Sequence, residues 1–295
     1  MKPWIRRGAL GLGALALVAV AAVLLGEHLG ERRTQRKIDL KVTSVPYRTD
    51  AAAVERGRYL FNSRGCTECH AVNGGGRTLV DDGKGTKLAG PNITAGNPVL
   101  AAYKPEGWVR SVRHGVGADG RVLRLMPSED YNRLTDDDLA AVVAYARQLA
   151  PLGGNPTGTI ELPLPARVLY GFGAIPDAFE KIDHSLAPSQ PVAEAVSAPH
   201  GRYVAQMCTG CHGAAFQGGK IAGAPPNWPP AARLAPGEGS AMVRYPDVAT
   251  FARMIKTGKR PDGSAIAVMP FESISQMSDT DAQALHVYLA ALPSK

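Results

Sequence analysis

All four cysteines of the 295-residue chain fall in two pentapeptides of the same form, Cys66-Thr67-Glu68-Cys69-His70 and Cys208-Thr209-Gly210-Cys211-His212. No other feature constrains the fold as tightly. Two thiols one helical turn apart can form thioethers with two vinyl groups on one porphyrin edge, and the following residue sets an imidazole beneath the iron. Each motif therefore supplies two covalent tethers and one axial ligand, which implies two covalently bound haem c groups and two irons. A structural zinc site is disfavoured, because zinc ribbons place their cysteine pairs much closer in sequence and do not call for His at both fifth positions. A thioredoxin-like pair would need a βαβ pattern that the sequence lacks.

The two motifs sit in a duplicated unit. Gly57-Arg58-Tyr59 matches Gly201-Arg202-Tyr203, and past the motifs Trp108 meets Phe251, Gly115 meets Gly258, Met126-Pro127 meets Met269-Pro270, and Tyr145 meets Tyr288. Thr135-Asp-Asp-Asp138 and Ser278-Asp-Thr-Asp281 read as capped helix starts. The apolar residues after them recur at steps of three and four, one buried helical face. Stretches 106–114 and 247–257 read as helices stopped by glycine, and no strand ladder is evident. The expected fold class is all-α, with domains at 48–151 and 198–295. Aromatic residues are only 6% of the chain, so the prosthetic group would fill much of each core.

Residues 8–26 are nineteen consecutive uncharged, mostly apolar residues, long enough to cross a hydrocarbon layer of roughly 30 Å. Residues 1–30 are read as an N-terminal membrane anchor, or alternatively a cleaved signal, and 31–47 as a juxtamembrane linker. The formal charge of +7 is concentrated in residues 1–41, so the remainder offers no basic face for nucleic acid. Residues 152–197 are rich in proline and read as an interdomain linker without regular structure. The apolar centre of that linker, Val168–Phe172, is expected to pack between the domains, with the bilayer or a partner as the other possible contacts.

An iron with His on one side requires Met or His on the other for electron transfer, or a vacancy for ligand chemistry. Met126 and Met269 are the candidates, each before proline in a loop ahead of the last helix of its repeat. His114 competes for the first iron, and its counterpart is Thr257. His28, His184, His200 and His286 read as surface or packing residues.

With Gly57-Arg58-Tyr59-Leu60, CTECH, Gly90-Pro91-Asn92-Ile93-Thr94, the Met126-Pro127 loop with Tyr131, and Leu134-Thr135-Asp136 through Tyr145, the chain resembles class I c-type cytochromes. Specifically, it resembles the multi-haem cytochrome c subunits of bacterial membrane-bound alcohol and gluconate dehydrogenases. Those subunits have three haems, where this chain has two motifs and a front-end anchor. The resemblance implies two tandem cytochrome c domains after a transmembrane helix. It also implies that the carbonyls of Pro91 and Pro226 accept hydrogen bonds from His70 and His212, with Pro225 an equal neighbour of Pro226. Haem attachment in such families takes place outside the cytoplasmic membrane, which implies a single-pass protein of that membrane with its haem domains in the periplasm. The implied function is electron transfer without catalysis, from a membrane dehydrogenase or quinol-linked donor to a terminal oxidase or soluble cytochrome. The alternative is a dihaem enzyme of the cytochrome c peroxidase type.

Overall fold

A computed structural model describes residues 2–221, 224–225 and 227–294. Helix α1 (Pro3–Gln35) leads into a first repeat of α2 (Ala51–Ser63), α3 (Cys66–His70), α4 (Pro98–Ala101), α5 (Pro105–His114), α6 (Ser128–Tyr131) and α7 (Asp136–Gln148). Strands β1 (Thr78–Asp81) and β2 (Lys87–Ala89) lie between α3 and α4. Strand β3 (Thr159–Glu161) and helices α8 (Leu164–Gly171) and α9 (Ala178–Lys181) follow. The second repeat supplies α10 (Ala198–Ala205), α11 (Thr209–His212), α12 (Val248–Thr257), α13 (Phe271–Ile274) and α14 (Asp279–Ala290).

The same local rules shape both repeats. The Thr135 hydroxyl accepts the Asp138 amide at 3.0 Å, and Ser278 accepts the Asp281 amide at 3.1 Å, so α7 and α14 begin at side-chain caps. Helices α5 and α12 end at Gly115 and Gly258, whose φ angles of 64° and 67° lie in the left-handed region. The first and last helices of each repeat cross with their backbones in contact. A Cβ on Gly57 would stand 1.9 Å from the Ala141 carbonyl oxygen, and one on Gly201 the same distance from that of Ala284. Leu139, Val143, Trp108 and Val109 form the first core, and Val204, Phe251, Ile255, Leu285 and Leu289 belong to the second.

Three features differ from the sequence reading. A small antiparallel sheet, ordered β1-β2-β3, pairs Asp81 with Lys87 and Leu88 with Ile160. Strands of three or four residues are too short for an alternating pattern to stand out. Secondly, Val42, Val45 and Tyr47, assigned to the juxtamembrane linker, pack in the first core. Thirdly, the proline-rich segment is structured. Its start is held by the Asn92 side chain donating to the Leu152 carbonyl and by Asn97 donating to that of Pro156. Pro163 and Pro165 occupy the N-cap and first turn of α8, where a missing N–H leaves no bond unmade. The apolar centre does not pack between the repeats. Helix α8 packs on α1, with Val168 and Phe172 against Gly26.

The repeats meet through reciprocal contacts related by a pseudo-two-fold relationship. Tyr59 donates to Asp281 at 2.5 Å and accepts the Ser278 amide at 2.9 Å. Tyr203 donates to Asp138 at 2.6 Å and accepts the Thr135 amide at 3.2 Å. Arg64 and His200 converge on buried Asp281, and Arg56 forks onto Asp138.

Candidate functional site

The first motif is itself a short helix, α3, entered through Gly65 at φ 86° and left through Ala71 at φ 56°, ψ 167°. In the second repeat a turn of 3-10 helix, Gln206–Cys208, runs into α11, and Gly213 leaves it at φ 76°, ψ 157°. These matched exits turn the chain sharply after each histidine. The four cysteines form no disulfide. Burial raises Cys66 and Cys208 to about 12 and Cys69 to about 11. No group of three or more His, Cys, Asp or Glu among the described residues is placed to hold a metal ion.

Each histidine is oriented through Nδ1. His70 Nδ1 lies 2.9 Å from the Pro91 carbonyl oxygen, and His212 Nδ1 lies 2.7 Å from that of Ala232. A carbonyl can only accept, so Nδ1 carries the proton and Nε2 keeps the lone pair that binds a metal. Burial also pushes both imidazoles below their ordinary pKa, against the pull of those carbonyls. Both rings are thus neutral. The chain can reach His70 this way because position 90 is glycine: a Cβ there would stand 2.0 Å from the Cys69 carbonyl oxygen.

The expectation of a Pro226 carbonyl beneath His212 is corrected to Ala232; Pro226 itself lies outside the described residues. Pro225 accepts the Trp228 amide instead. The bridge between Gly219 and Ala231 folds the chain back and presents the next carbonyl to the ring. No Gly-Pro-Asn signature marks this position, so the sequence offered no signal for it.

The methionine loops are alike in backbone detail. The Ser128 amide donates to the Met126 carbonyl at 2.9 Å around Pro127 (φ −80°, ψ 64°). The Phe271 amide donates to the Met269 carbonyl at 2.8 Å around Pro270 (φ −79°, ψ 66°). Both are inverse γ-turns, and both methionines are half-buried. Tyr131, on the helix after Met126, donates to the Arg64 carbonyl just ahead of Cys66 at 2.8 Å. In the second repeat Met269 and Cys208 border one apolar cluster. His114 is engaged elsewhere, with its Nδ1 3.0 Å from that of His184. Burial, with His184 and Arg113 nearby, lowers His114 to about 4.

Each motif also touches the methionine-loop helix of the opposite repeat. The hydroxyls of Thr67 and Ser273 lie 2.9 Å apart, and Glu68 accepts from the Ser273 amide and hydroxyl. At the matched place Asp130 accepts the Gly210 amide at 2.6 Å and the Thr209 hydroxyl at 3.3 Å. The sequence reading missed these residues, along with Tyr59 and Tyr203, as interface groups. The repeated Gly-Arg-Tyr triplet was the available signal.

A family model described as cytochrome c oxidase, cbb3-type, subunit III matches residues 52–145 and again 194–289. A fructose dehydrogenase cytochrome subunit of Gluconobacter japonicus is 27% identical over 278 residues, covering 85% of this chain and 55% of its own length. A gluconate 2-dehydrogenase cytochrome c subunit of Pantoea cypripedii is 31% identical over 176 residues, 55% of this chain and 38% of its own. A cbb3-type cytochrome c oxidase subunit CcoP of Helicobacter pylori (strain 52) is 29% identical over 113 residues, 38% and 33% of the two chains. The chain spans about half the length of the first of these relatives and less of the other two.

Proposed function

The chain belongs to the cytochrome c family described as cytochrome c oxidase, cbb3-type, subunit III, and on that premise we propose that it is a membrane-anchored dihaem electron carrier. Cys66 and Cys69 would tether one haem c, and Cys208 and Cys211 the other. His70 with Met126, and His212 with Met269, would be the residues that hold the two irons. When bound, the haem would supply one-electron Fe(III)/Fe(II) chemistry, and Met/His ligation would favour a high potential.

The polypeptide's own part is positioning. The Nδ1–H bonds to Pro91 and Ala232 fix each imidazole plane and tautomer. The paired inverse γ-turns place both methionines at matched points of their repeats. The observation that carries the reading is the reciprocal contact of each motif with the other repeat's methionine-loop helix. It sets both sites on one interface, which suits electron passage between them.

The domains are read as 48–151 and 198–295, facing the periplasm from a single-pass anchor in the cytoplasmic membrane. Helix α1 is long and apolar enough to cross a bilayer. The donor is a membrane dehydrogenase or a quinol-linked complex, and the acceptor a terminal oxidase or soluble cytochrome. The relatives' names support both sides, being subunits of dehydrogenases and of an oxidase.

Electronic spectroscopy of the oxidised protein separates this reading from a peroxidase. Two low-spin irons, each with the near-infrared band of sulfur ligation, are expected. A high-spin iron with rapid peroxide turnover would overturn the carrier assignment.

A further inference from the structure

Helix α8 is joined to α1 where the apolar run ends. A Cβ on Gly26 would lie 2.8 Å from Val168 Cγ1 and 2.9 Å from the Phe172 ring, and one on Gly171 would lie 1.9 Å from the Gly26 carbonyl oxygen. One turn further along, Gly30 faces the Arg167 carbonyl and the Gly171 backbone. The two helices therefore touch backbone to backbone at residues 26–30. Because the uncharged segment is 8–26, this crossing marks the level at which a spanning helix leaves the hydrocarbon.

Beside its contact with α1, α8 leaves apolar side chains partly uncovered. Leu164, Leu169 and Phe172 are 41%, 50% and 49% exposed. At 3.6 residues per turn Leu164, the C-cap Phe172 and Leu169 spread over about 140° of the helix, an arc that runs from the edge of the α1 contact, where Phe172 touches Gly26, to the open flank at Leu169. Leu24 and Leu25, immediately before the crossing, are also exposed on α1. The apolar surface of α1 is thus continuous with that of α8.

The junction is braced. Arg167 pairs with Glu27 at 3.0 Å. Arg33 donates to the Tyr170 carbonyl at 2.5 Å and that of Ile175 at 3.1 Å, with its guanidinium 4.4 Å from the Tyr170 ring centre. Arg36 binds Asp177 at 2.8 Å and Glu180 at 2.9 Å. Beyond the helix end, the Ile38 amide donates to Gly120 of the first repeat at 2.8 Å. Residues 27–35 extend α1 about 13 Å past the apolar run, at about 1.5 Å per residue, as a stiff post.

We propose that α8 is an interfacial helix lying in the headgroup layer of the bilayer, with Leu164, Leu169 and Phe172 inserted among the lipid. The inference rests on α1 being a membrane anchor. Lipid is the occupant because these exposed apolar side chains flank Gly26, where the uncharged run ends, and follow directly on exposed Leu24 and Leu25 of α1. An amphipathic helix of this kind buries its apolar face about 5–10 Å into the headgroup and acyl boundary. Spanning helix and interfacial helix together then hold the repeats at a fixed tilt over the membrane.

The test is nitroxide accessibility in the full haem-loaded chain, reconstituted in bilayer discs of phosphatidylethanolamine and phosphatidylglycerol. Single variants Leu169→Cys, Phe172→Cys, Leu15→Cys and Lys84→Cys are labelled, with unsubstituted protein as the control for unreacted native thiols. Haem content checks that each variant folds. Expected is a ratio of oxygen to nickel-chelate collision rates several-fold higher at 169 and 172 than at exposed Lys84, yet below that at Leu15. Ratios at 169 and 172 equal to that at 84 would overturn the proposal. So would sites closed to both reagents, the mark of a protein partner or a second copy. An aqueous ratio at Leu15 would instead show that the anchor reading itself had failed.

Discussion

The Tyr59 hydroxyl of the first repeat donates to Asp281 of the second across 2.5 Å, and the matched Tyr203 of the second donates to Asp138 of the first across 2.6 Å. A hydrogen bond to a charged group contributes about 1.5–3 kcal/mol. Tyr59→Phe and Tyr203→Phe should each lower stability by about that amount in denaturant titrations. The double variant should separate one cooperative transition into two, with both haems retained.

Asp281 also sets an acid limit. Burial alone would raise its carboxyl, but the Arg64 charge and hydrogen bonds from Tyr59, Arg64 and His200 outweigh this and hold it at about 2. A carboxyl depressed in the folded state adds stability that is present above the unfolded value near 4 and is lost as pH falls through the folded value. The interface should therefore weaken between about pH 4 and pH 2. In Asp281→Asn, acid titration of unfolding should lose this contribution, leaving a protein less stable at neutral pH and less sensitive across that window.

Gly57→Ala tests the helix crossing. Its new Cβ would fall 1.9 Å from a backbone carbonyl, a clash that no rotamer relieves. Overpacking costs about 1–3 kcal/mol, and more where backbone must move. Purified Gly57→Ala should carry less haem and melt earlier. Gly153→Ala, where nothing lies within 4 Å, should behave as the unsubstituted chain.

Met126→Leu and Met269→Leu probe the axial assignment. Each should remove one of two near-infrared sulfur bands and lower one of two midpoint potentials while leaving the other in place. Loss of neither band would move the ligand elsewhere.

Much of this was readable from residues that appear twice. The caps at Thr135 and Ser278, the stops at Gly115 and Gly258 and the close crossings at Gly57 and Gly201 are short-range or backbone requirements, and such requirements leave marks in sequence. The Ala232 carbonyl left none, because any residue can present a carbonyl and the bridge that aims it is a tertiary contact. Strand β3 and helix α8 were hidden for a related reason. Prolines at 163 and 165 look like breakers until they are seen at the start of a helix, and α8 is stabilised by its contact with α1. The buried group at Asp281 was visible only as a cap, since its partners come from residues 59, 64 and 200.

The central claim is two tethered haems per chain, and a pyridine haemochrome assay on purified, acid-acetone-extracted protein tests it most directly. Two haems per polypeptide are expected, falling to one in Cys66→Ser/Cys69→Ser and to one in Cys208→Ser/Cys211→Ser. A single haem in the unsubstituted chain, or a colourless protein, would contradict the account.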